Sequence, residues 1–403
     1  MEKKNNRIFV YGLVAVLLII NVCYIVATVI RGGLNFGDFT GQRILCAYVL
    51  KGINPFPQLG ITPPLLPDVG VVPSAFSTTP WGLVLGNLFY PAYMPLGAGK
   101  VYIVVFYVLL LLFATYSLVQ HFSECSLDFK AVVMMLALTS QNVLVTVVNF
   151  NAGSSICLLL VLACLYCDER PMLAGIALAF AMVKPQAAGL FCLAFLLQKR
   201  IKPLVVAAVI DLLAWVAASV MVKTLPLTLL AQFFSCGVGG ESGAFYGIFT
   251  LLLSPNVSTY VSMIAGIAFV VVLDLAWRRK RLSVPAENFF RFYPASIATV
   301  FWCYIRGYDL FTLVIPTFLC LWIMLNERSR LAQFFWFCMG AYCYLERSIV
   351  RAFGLSVTKL FIPGEVEYFS KYGATLYSLG LIAISLVMLK KLNGGGLHDG
   401  TRV

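Results

Sequence analysis

Asp38 is a carboxylate whose position in the sequence could support chemistry. It follows the first long apolar run and starts a stretch with helical apolar spacing. This stretch ends at Gly52 and Pro55. A carboxylate at the start of a helix lying on a membrane could act as general base toward a hydroxyl arriving from the water. The alternative interpretation is that Asp38 or Thr40 only caps the N-terminus of this helix.

Lys184 stands with Pro185 between two apolar runs, residues 172–183 and 186–197. One long helix through both runs would place their basic ends on opposite sides of a membrane, against the positive-inside rule. Two short helices avoid this. At 1.5 Å per residue each reaches only ~20 Å, short of the ~30 Å hydrocarbon core. We therefore predict that Lys184 lies in a cavity within the thickness of the membrane.

A lysine at that depth costs roughly 2.5–3.5 kcal/mol unless it is paired or hydrated. The sequence favours a partnered Lys184, and the phosphate of an anionic lipid is a suitable partner. The alternative is a side chain that snorkels toward the outer interface.

Further ionisable residues are predicted on the same outer face. Arg306 and Asp309 lie at a second short break between apolar runs, where they could also simply pair with each other. Glu241 lies in a glycine-rich stretch that is either a flexible loop over a site or a plain linker. The candidate substrate-binding residues are therefore Lys184, Arg306, Tyr308, Asp309, Glu241 and Arg347.

The composition excludes a soluble globular protein. Hydrophobic residues make up 61% of the chain, charged residues 11%, and the mean hydropathy is +0.91. Many apolar runs approach the roughly 20 residues that cross a bilayer as a helix. We expect an all-α polytopic membrane protein with about 12 transmembrane helices.

The predicted topology has one integral-membrane domain over residues 1–403. A long first outer loop at residues 31–99 carries an interfacial helix that begins near Asp38, and a second outer loop covers residues 223–255. Both termini are expected in the cytoplasm of a multi-pass plasma-membrane protein, with the active site on the extracytoplasmic side.

The net charge of +12 indicates how the chain is oriented in the membrane and does not indicate a nucleic-acid partner. Lysine and arginine cluster in the short segments that would face the cytoplasm, such as residues 199–202 and 278–281. No nucleic-acid partner is expected.

The sequence offers little for a metal site. The chain has only two histidines, His121 and His398, and both map to the cytoplasmic side. Cys164 and Cys167 form a C-x-x-C pair without a second pair at zinc spacing. We expect no metal or other cofactor, although carboxylates such as Asp38 and Glu241 could still recruit a divalent ion.

The order of these motifs resembles that of the polytopic GT-C glycosyltransferases, most closely glycosyltransferase family 87, the polyprenol-phosphate-mannose-dependent type. The likeness covers roughly residues 30–325. Its parts are Asp38, the Gly-x-x-Pro-Phe turn at 52–56, Thr79-Pro80-Trp81, Leu173-Ala174-Gly175 with Lys184-Pro185, and Arg306-x-Tyr308-Asp309. The segment Asn151-Ala152-Gly153 departs from the Gly-Gln-x-Asn that family members often show.

The resemblance implies transfer of a sugar, mannose or another hexose, from a polyprenyl-phosphate donor. The acceptor would be a lipid-linked or cell-envelope glycan on the extracytoplasmic face, and the anomeric carbon would be inverted. Asp38 matches the acidic residue taken as general base, and Lys184 could hold the donor phosphate. The alternative is a lipid or lipid-linked-saccharide transporter that makes no bond.

Overall fold

The computed structural model describes most of the chain in separate segments. These are residues 2–32, 36–56, 78–122, 125–140, 151–237, 249, 253–278, 287–303, 310–327, 329–346, 348–350, 352 and 366–393. Throughout these segments the regular elements are helices, and no strand occurs among them. The predicted all-α class is confirmed.

The helices are numbered here in chain order. They are α1 Glu2–Gly32, α2 Gly37–Leu50, α3 Gly82–Leu85 with a 3-10 turn at Gly86–Leu88, α4 Leu96–His121, α5 Leu127–Thr139, α6 Gly153–Tyr166, α7 Pro171–Ala181, α8 Pro185–Leu197, α9 Ile201–Met221, α10 Pro226–Gly237, α11 Pro255–Arg278, α12 Glu287–Phe290, α13 Tyr293–Trp302, α14 Val314–Asn326 after a 3-10 turn at Phe311–Leu313, α15 Arg330–Tyr344 and α16 Val366–Asn393.

Four helices of the described segments are long and apolar enough to cross a membrane. They are Leu96–His121, Ile201–Met221, Val257–Arg278 and Gly373–Lys391. Several other apolar helices, including α7 and α8, have fewer than 18 residues. The described residues thus contain four candidate membrane spans, in agreement with a membrane protein, and the predicted count of about twelve stays a prediction.

The chain divides into two compact units. The site unit comprises Gly32–Ala114 and Val145–Glu241, and it contains Asp38 and Lys184. The second unit comprises Met1–Arg31, Thr115–Leu144 and Ser242–Val403.

Helices α7 and α9 of the site unit cross closely at Gly175. A Cβ atom added there would lie 2.5 Å from Val206 Cβ and 2.8 Å from the Pro203 carbonyl oxygen. Only a residue without a side chain allows the two backbones to approach this far. The Leu-Ala-Gly motif is therefore explained by helix packing.

A hydrophobic core joins α2, α3, α9 and α10 of the site unit. It includes Leu45, Leu83, Ala218 and Leu229, all buried completely. This core fixes the predicted interfacial helix α2 against α9, a candidate membrane span.

The second unit has its own close crossing and ion pairs. A Cβ atom added at Gly266 on α11 would lie 2.3 Å from Trp302 Cβ on α13. Asp274, which is buried, accepts from Arg278 at 2.6 Å and lies 3.6 Å from Arg291. The second ion pair joins α11 to the segment between α12 and α13.

Part of the predicted second outer loop is helical. Residues 223–255 are expected to be a loop, but Pro226–Gly237 forms α10. The glycines from residue 237 onward suggest flexibility, while the preceding residues carry the apolar periodicity of an amphipathic helix. By contrast, α2 and the short pair α7 and α8 are confirmed with ends close to those predicted.

Candidate active site

Asp38 lies in the first turn of α2, and its side chain is exposed. The N-cap residue is Phe36, and no side chain of the described segments caps this helix end. Thr40 Oγ1 instead donates to the Phe36 carbonyl at 2.9 Å. The capping interpretation is therefore wrong for both Asp38 and Thr40. A carboxylate in a first helical turn is also stabilised by the helix dipole.

Asn151 holds the Asp38 carboxylate. Its Nδ2 donates to Asp38 Oδ2 at 3.0 Å, while its Oδ1 accepts from the Gly153 amide at 2.8 Å. The second contact fixes the orientation of the side-chain amide, so that its donor is aimed at the carboxylate. The Ala152 amide donates to Tyr90 Oη at 3.0 Å and fastens this segment to the rest of the site unit.

Aromatic packing fixes the start of α2. Phe39 is fully buried, with its ring 6.2 Å from that of Phe36 and 6.0 Å from that of Tyr90. Lys100 Nζ, in the first turns of α4, lies 4.7 Å from the centre of the Phe36 ring. This cation–π contact keeps a positive charge near the N-terminus of α2.

Lys184 occupies the turn between α7 and α8. It is the N-cap residue of α8, and Pro185 takes the first helical position, where its missing N–H costs nothing. The Lys184 carbonyl accepts from the Ala187 amide at 2.9 Å. The side chain is only 7% exposed. The structure therefore buries the lysine instead of extending it along the surface as snorkelling would.

The Thr-Pro-Trp segment holds the turn that precedes Lys184. Trp81 Nε1 donates to the Met182 carbonyl at 2.8 Å, and Thr79 Oγ1 donates to the Val183 carbonyl at 3.5 Å. Gly82 is required here because an added Cβ would meet Thr79 Oγ1 at 2.8 Å. The tryptophan thus serves as a positioning residue for the α7–α8 turn.

The neighbouring threonine connects this turn to α2. Thr78 Oγ1 donates to Oε1 of Gln42, which lies one helical turn after Asp38. Residues 78 and 79 therefore contact both the helix that carries Asp38 and the turn that carries Lys184. The structure thus links the helix that carries Asp38 to the turn that carries Lys184 within the site unit.

The Gly-x-x-Pro-Phe turn anchors the other end of α2. Asn54 Nδ2 donates to Gln232 Oε1 on α10 at 2.8 Å, and the buried Phe56 ring lies 5.9 Å from that of Phe233. Gly52 has a φ of +75°, which favours glycine. This motif is explained by docking onto α10.

Cys46 on α2 is unsuited to nucleophilic chemistry at neutral pH. Burial raises the pKa of its thiol to about 12, although the nearby Arg43 charge acts in the opposite direction. Arg43 donates to the Met94 carbonyl and so fastens α2 to the segment before α4. Asp38 thus remains the candidate reactive group on this helix.

Five predicted site residues lie outside the described residues. They are Glu241, Arg306, Tyr308, Asp309 and Arg347. In the part of the chain that the structure describes, no three His, Cys, Asp or Glu side chains are grouped to hold a metal ion. The expected metal independence is still a prediction.

The model of glycosyltransferase family 87 matches residues 80–345, two thirds of the chain. The chain belongs to glycosyltransferase family 87. No curated protein and no solved structure matches it. The matched range contains the Lys184 turn and Asn151 and begins after Asp38.

Membership in the family makes the protein an enzyme, a glycosyltransferase. It implies a sugar donor, an acceptor and a membrane environment, in agreement with the apolar helices. Bond formation, rather than lipid transport without chemistry, is the activity that the family assignment supports.

Sequence reasoning missed Asn151 and Lys100 as site residues. Asn151 was expected only as a departure from a family pattern, although an Asn just before a helix is typical of a residue that bonds backbone amides. Its contact with Asp38 depends on the fold. No pattern in the sequence links Lys100 to Phe36.

Proposed function

We propose that this glycosyltransferase moves a sugar, mannose or another hexose, from a polyprenyl-phosphate donor to a hydroxyl of a lipid-linked or cell-envelope glycan. The anomeric carbon is inverted, and Asp38 is the general base. Family membership supports the reaction class. The single observation that carries the residue assignment is the exposed Asp38 carboxylate, held by Asn151 at 3.0 Å.

The proposed step is one displacement. Asp38 takes the proton of the acceptor hydroxyl while that oxygen forms a bond to the anomeric carbon. The bond from this carbon to the phosphate oxygen breaks, and polyprenyl phosphate leaves with the electron pair. One displacement inverts the configuration, and a positioned base in such a step contributes roughly 10²–10⁴-fold in rate.

Lys184 is proposed to bind the phosphate of the donor. Its charge offsets the negative charge that develops on the leaving group. The N-terminus of α8 directly follows it and adds a favourable dipole. Trp81 and Thr79 fix the turn, so the lysine is preorganised instead of being ordered by the substrate.

The remaining predicted residues complete the proposal. Arg306, Tyr308, Asp309, Glu241 and Arg347 are proposed to contact the donor phosphate, the sugar or the acceptor. The site is proposed to face the extracytoplasmic side of the plasma membrane, with both termini in the cytoplasm. No divalent metal is required in this scheme.

The test is sugar transfer by the full chain reconstituted in lipid vesicles with labelled polyprenyl-phosphate hexoses. Asp38→Asn should lower the rate by about 10²–10⁴-fold while insertion into the vesicles is unchanged. The matched control is Asp168→Asn, because Asp168 is a half-exposed carboxylate of the same unit that pairs with Arg200 at 2.8 Å. Wild-type turnover by Asp38→Asn overturns the assignment of the base. Transfer only from nucleotide sugars overturns the assignment of the donor.

A further inference from the structure

Helix α10 begins close to one end of a membrane-crossing helix. The 21 residues of α9, Ile201–Met221, span about 31 Å, which matches a hydrocarbon core of ~30 Å. Only four residues separate the end of α9 from Pro226, the first residue of α10. Trp215 Nε1 on α9 donates to the Pro226 carbonyl at 3.0 Å and folds α10 back toward α9. The start of α10 therefore lies at the level of a membrane interface.

One face of α10 is apolar and exposed. Leu227 is 74% exposed and Phe234 is 54% exposed, and Ala231 lies on the same face at helical spacing. Leu225, just before the helix, is 75% exposed. The polar Thr228, also exposed, lies to one side of this face.

The opposite face of α10 packs against the segment that follows α2. Leu229 is fully buried in the core with Phe56 and Val49, and Gln232 accepts from Asn54 at 2.8 Å. One side of α10 is thus occupied by protein, and its outer side is the apolar face.

The last turns of α9 also expose apolar residues. Val216 and Val220, in the last turns of α9, are both exposed apolar residues of a candidate span, and lipid chains are the environment such residues require. Lys223, exposed in the turn between the two helices, is suited to the headgroup level. A helix with an apolar face, a polar side and a basic residue at that level is typical of one that lies in the membrane plane.

We propose that α10 is an in-plane membrane helix whose Leu227–Phe234 face contacts the lipid bilayer. Through Asn54 and Phe56 it fixes the height of α2 relative to the membrane. A fixed height matters for Asp38 only if the donor is lipid-linked, so this second part rests on the proposed function. The membrane contact itself does not.

A photo-crosslinking experiment tests the contact. Benzoylphenylalanine is placed at position 227 or, in a second variant, at position 234 of the full chain in lipid nanodiscs. The matched control carries the probe at position 228, on the polar side of the same helix. Mass spectrometry then identifies the adducts after irradiation.

Lipid adducts several-fold more abundant at positions 227 and 234 than at position 228 are the expected result. Equal yields at the three positions overturn the proposal, as do adducts to a second copy of the chain in place of lipid. Because crosslinking needs no turnover, it separates this inference from the proposed function. An enzyme that transfers sugar but shows no preferred lipid adduct disproves the membrane helix alone. A chain that forms the adducts but transfers no sugar disproves the proposed function alone.

Discussion

Asn151 Nδ2 donates to Asp38 Oδ2 at 3.0 Å, although the two residues lie 113 positions apart in the sequence. The same asparagine is fixed by the Gly153 amide on its other side. The segment just before α6 therefore orients a carboxylate that α2 presents, and the direction of the proposed base depends on both.

Removal of the Asn151 amide should slow the chemical step. A hydrogen bond to a charged group contributes about 1.5–3 kcal/mol, so Asn151→Ala should lower kcat by roughly 10–100-fold. KM should change little, because the contact orients the base and does not bind substrate. Steady-state kinetics in vesicles measure both constants.

A double-mutant cycle separates positioning from a structural role. In the Asp38→Asn background, Asn151→Ala should cause little further loss, because the group that it positions is already disabled. Additive losses in the double variant would contradict the positioning role of Asn151.

Lys184→Met should weaken binding of polyprenyl phosphate at least ~10-fold, because it removes a charge-assisted contact to phosphate. Lys184→Arg should retain part of the affinity. The measurement is a titration of each variant in nanodiscs with polyprenyl phosphate. Lys202→Met is the matched control, since Lys202 is exposed at the start of α9 in the same unit. Unchanged affinity in Lys184→Met would count against the phosphate role.

The Tm of Lys184→Met is measured alongside this titration. Replacement of a buried lysine by an apolar residue of similar length removes a charge from a site with 7% exposure. The Tm of Lys184→Met, compared with that of the wild type, therefore shows whether the substitution also disturbs the turn. A large fall in Tm would show that the lysine supports the turn structurally and would remove the basis for interpreting its binding defect.

The proposed reaction needs no divalent ion, so transfer by the wild-type enzyme should continue in excess EDTA. Activity before and after chelation, with Mg²⁺ or Mn²⁺ added back, is the measurement. Loss on chelation and recovery with one ion would show that a metal takes part. Asp38 and Glu241 would then be the first residues to test as ligands.

The parts of the site that sequence predicts are those that local chemistry dictates. Pro185 separates two short apolar runs, so the α7–α8 turn with Lys184 at its apex follows from the sequence. Asp38 at the start of α2 follows in the same way. The Asn151 contact and the attachment of Trp81 to Met182 could not be predicted, because they join residues that only the tertiary fold brings together.

Helix α10 was not predicted from the sequence. Its residues carry a helical pattern, but the glycine-rich stretch after it led to the prediction of a loop through the whole segment. The chain also breaks between α12 and α13. Residues 291 and 292 lie in an apolar run in which Pro294 marks a new helix start.

Gly175 gives a prediction about packing that is independent of the chemistry. Gly175→Leu should destabilise the protein by about 1–3 kcal/mol or more, because its side chain would overlap Val206 and the Pro203 carbonyl across the α7–α9 crossing. Gly97→Leu is the matched control, since a Cβ atom at Gly97 meets no described atom within 4 Å. Unfolding in detergent, followed by circular dichroism, compares the two variants. Equal stability of the variants would contradict the close crossing and would leave the Leu-Ala-Gly motif without a packing explanation. A specific loss of stability in Gly175→Leu would instead assign the motif to the scaffold that holds the Lys184 turn.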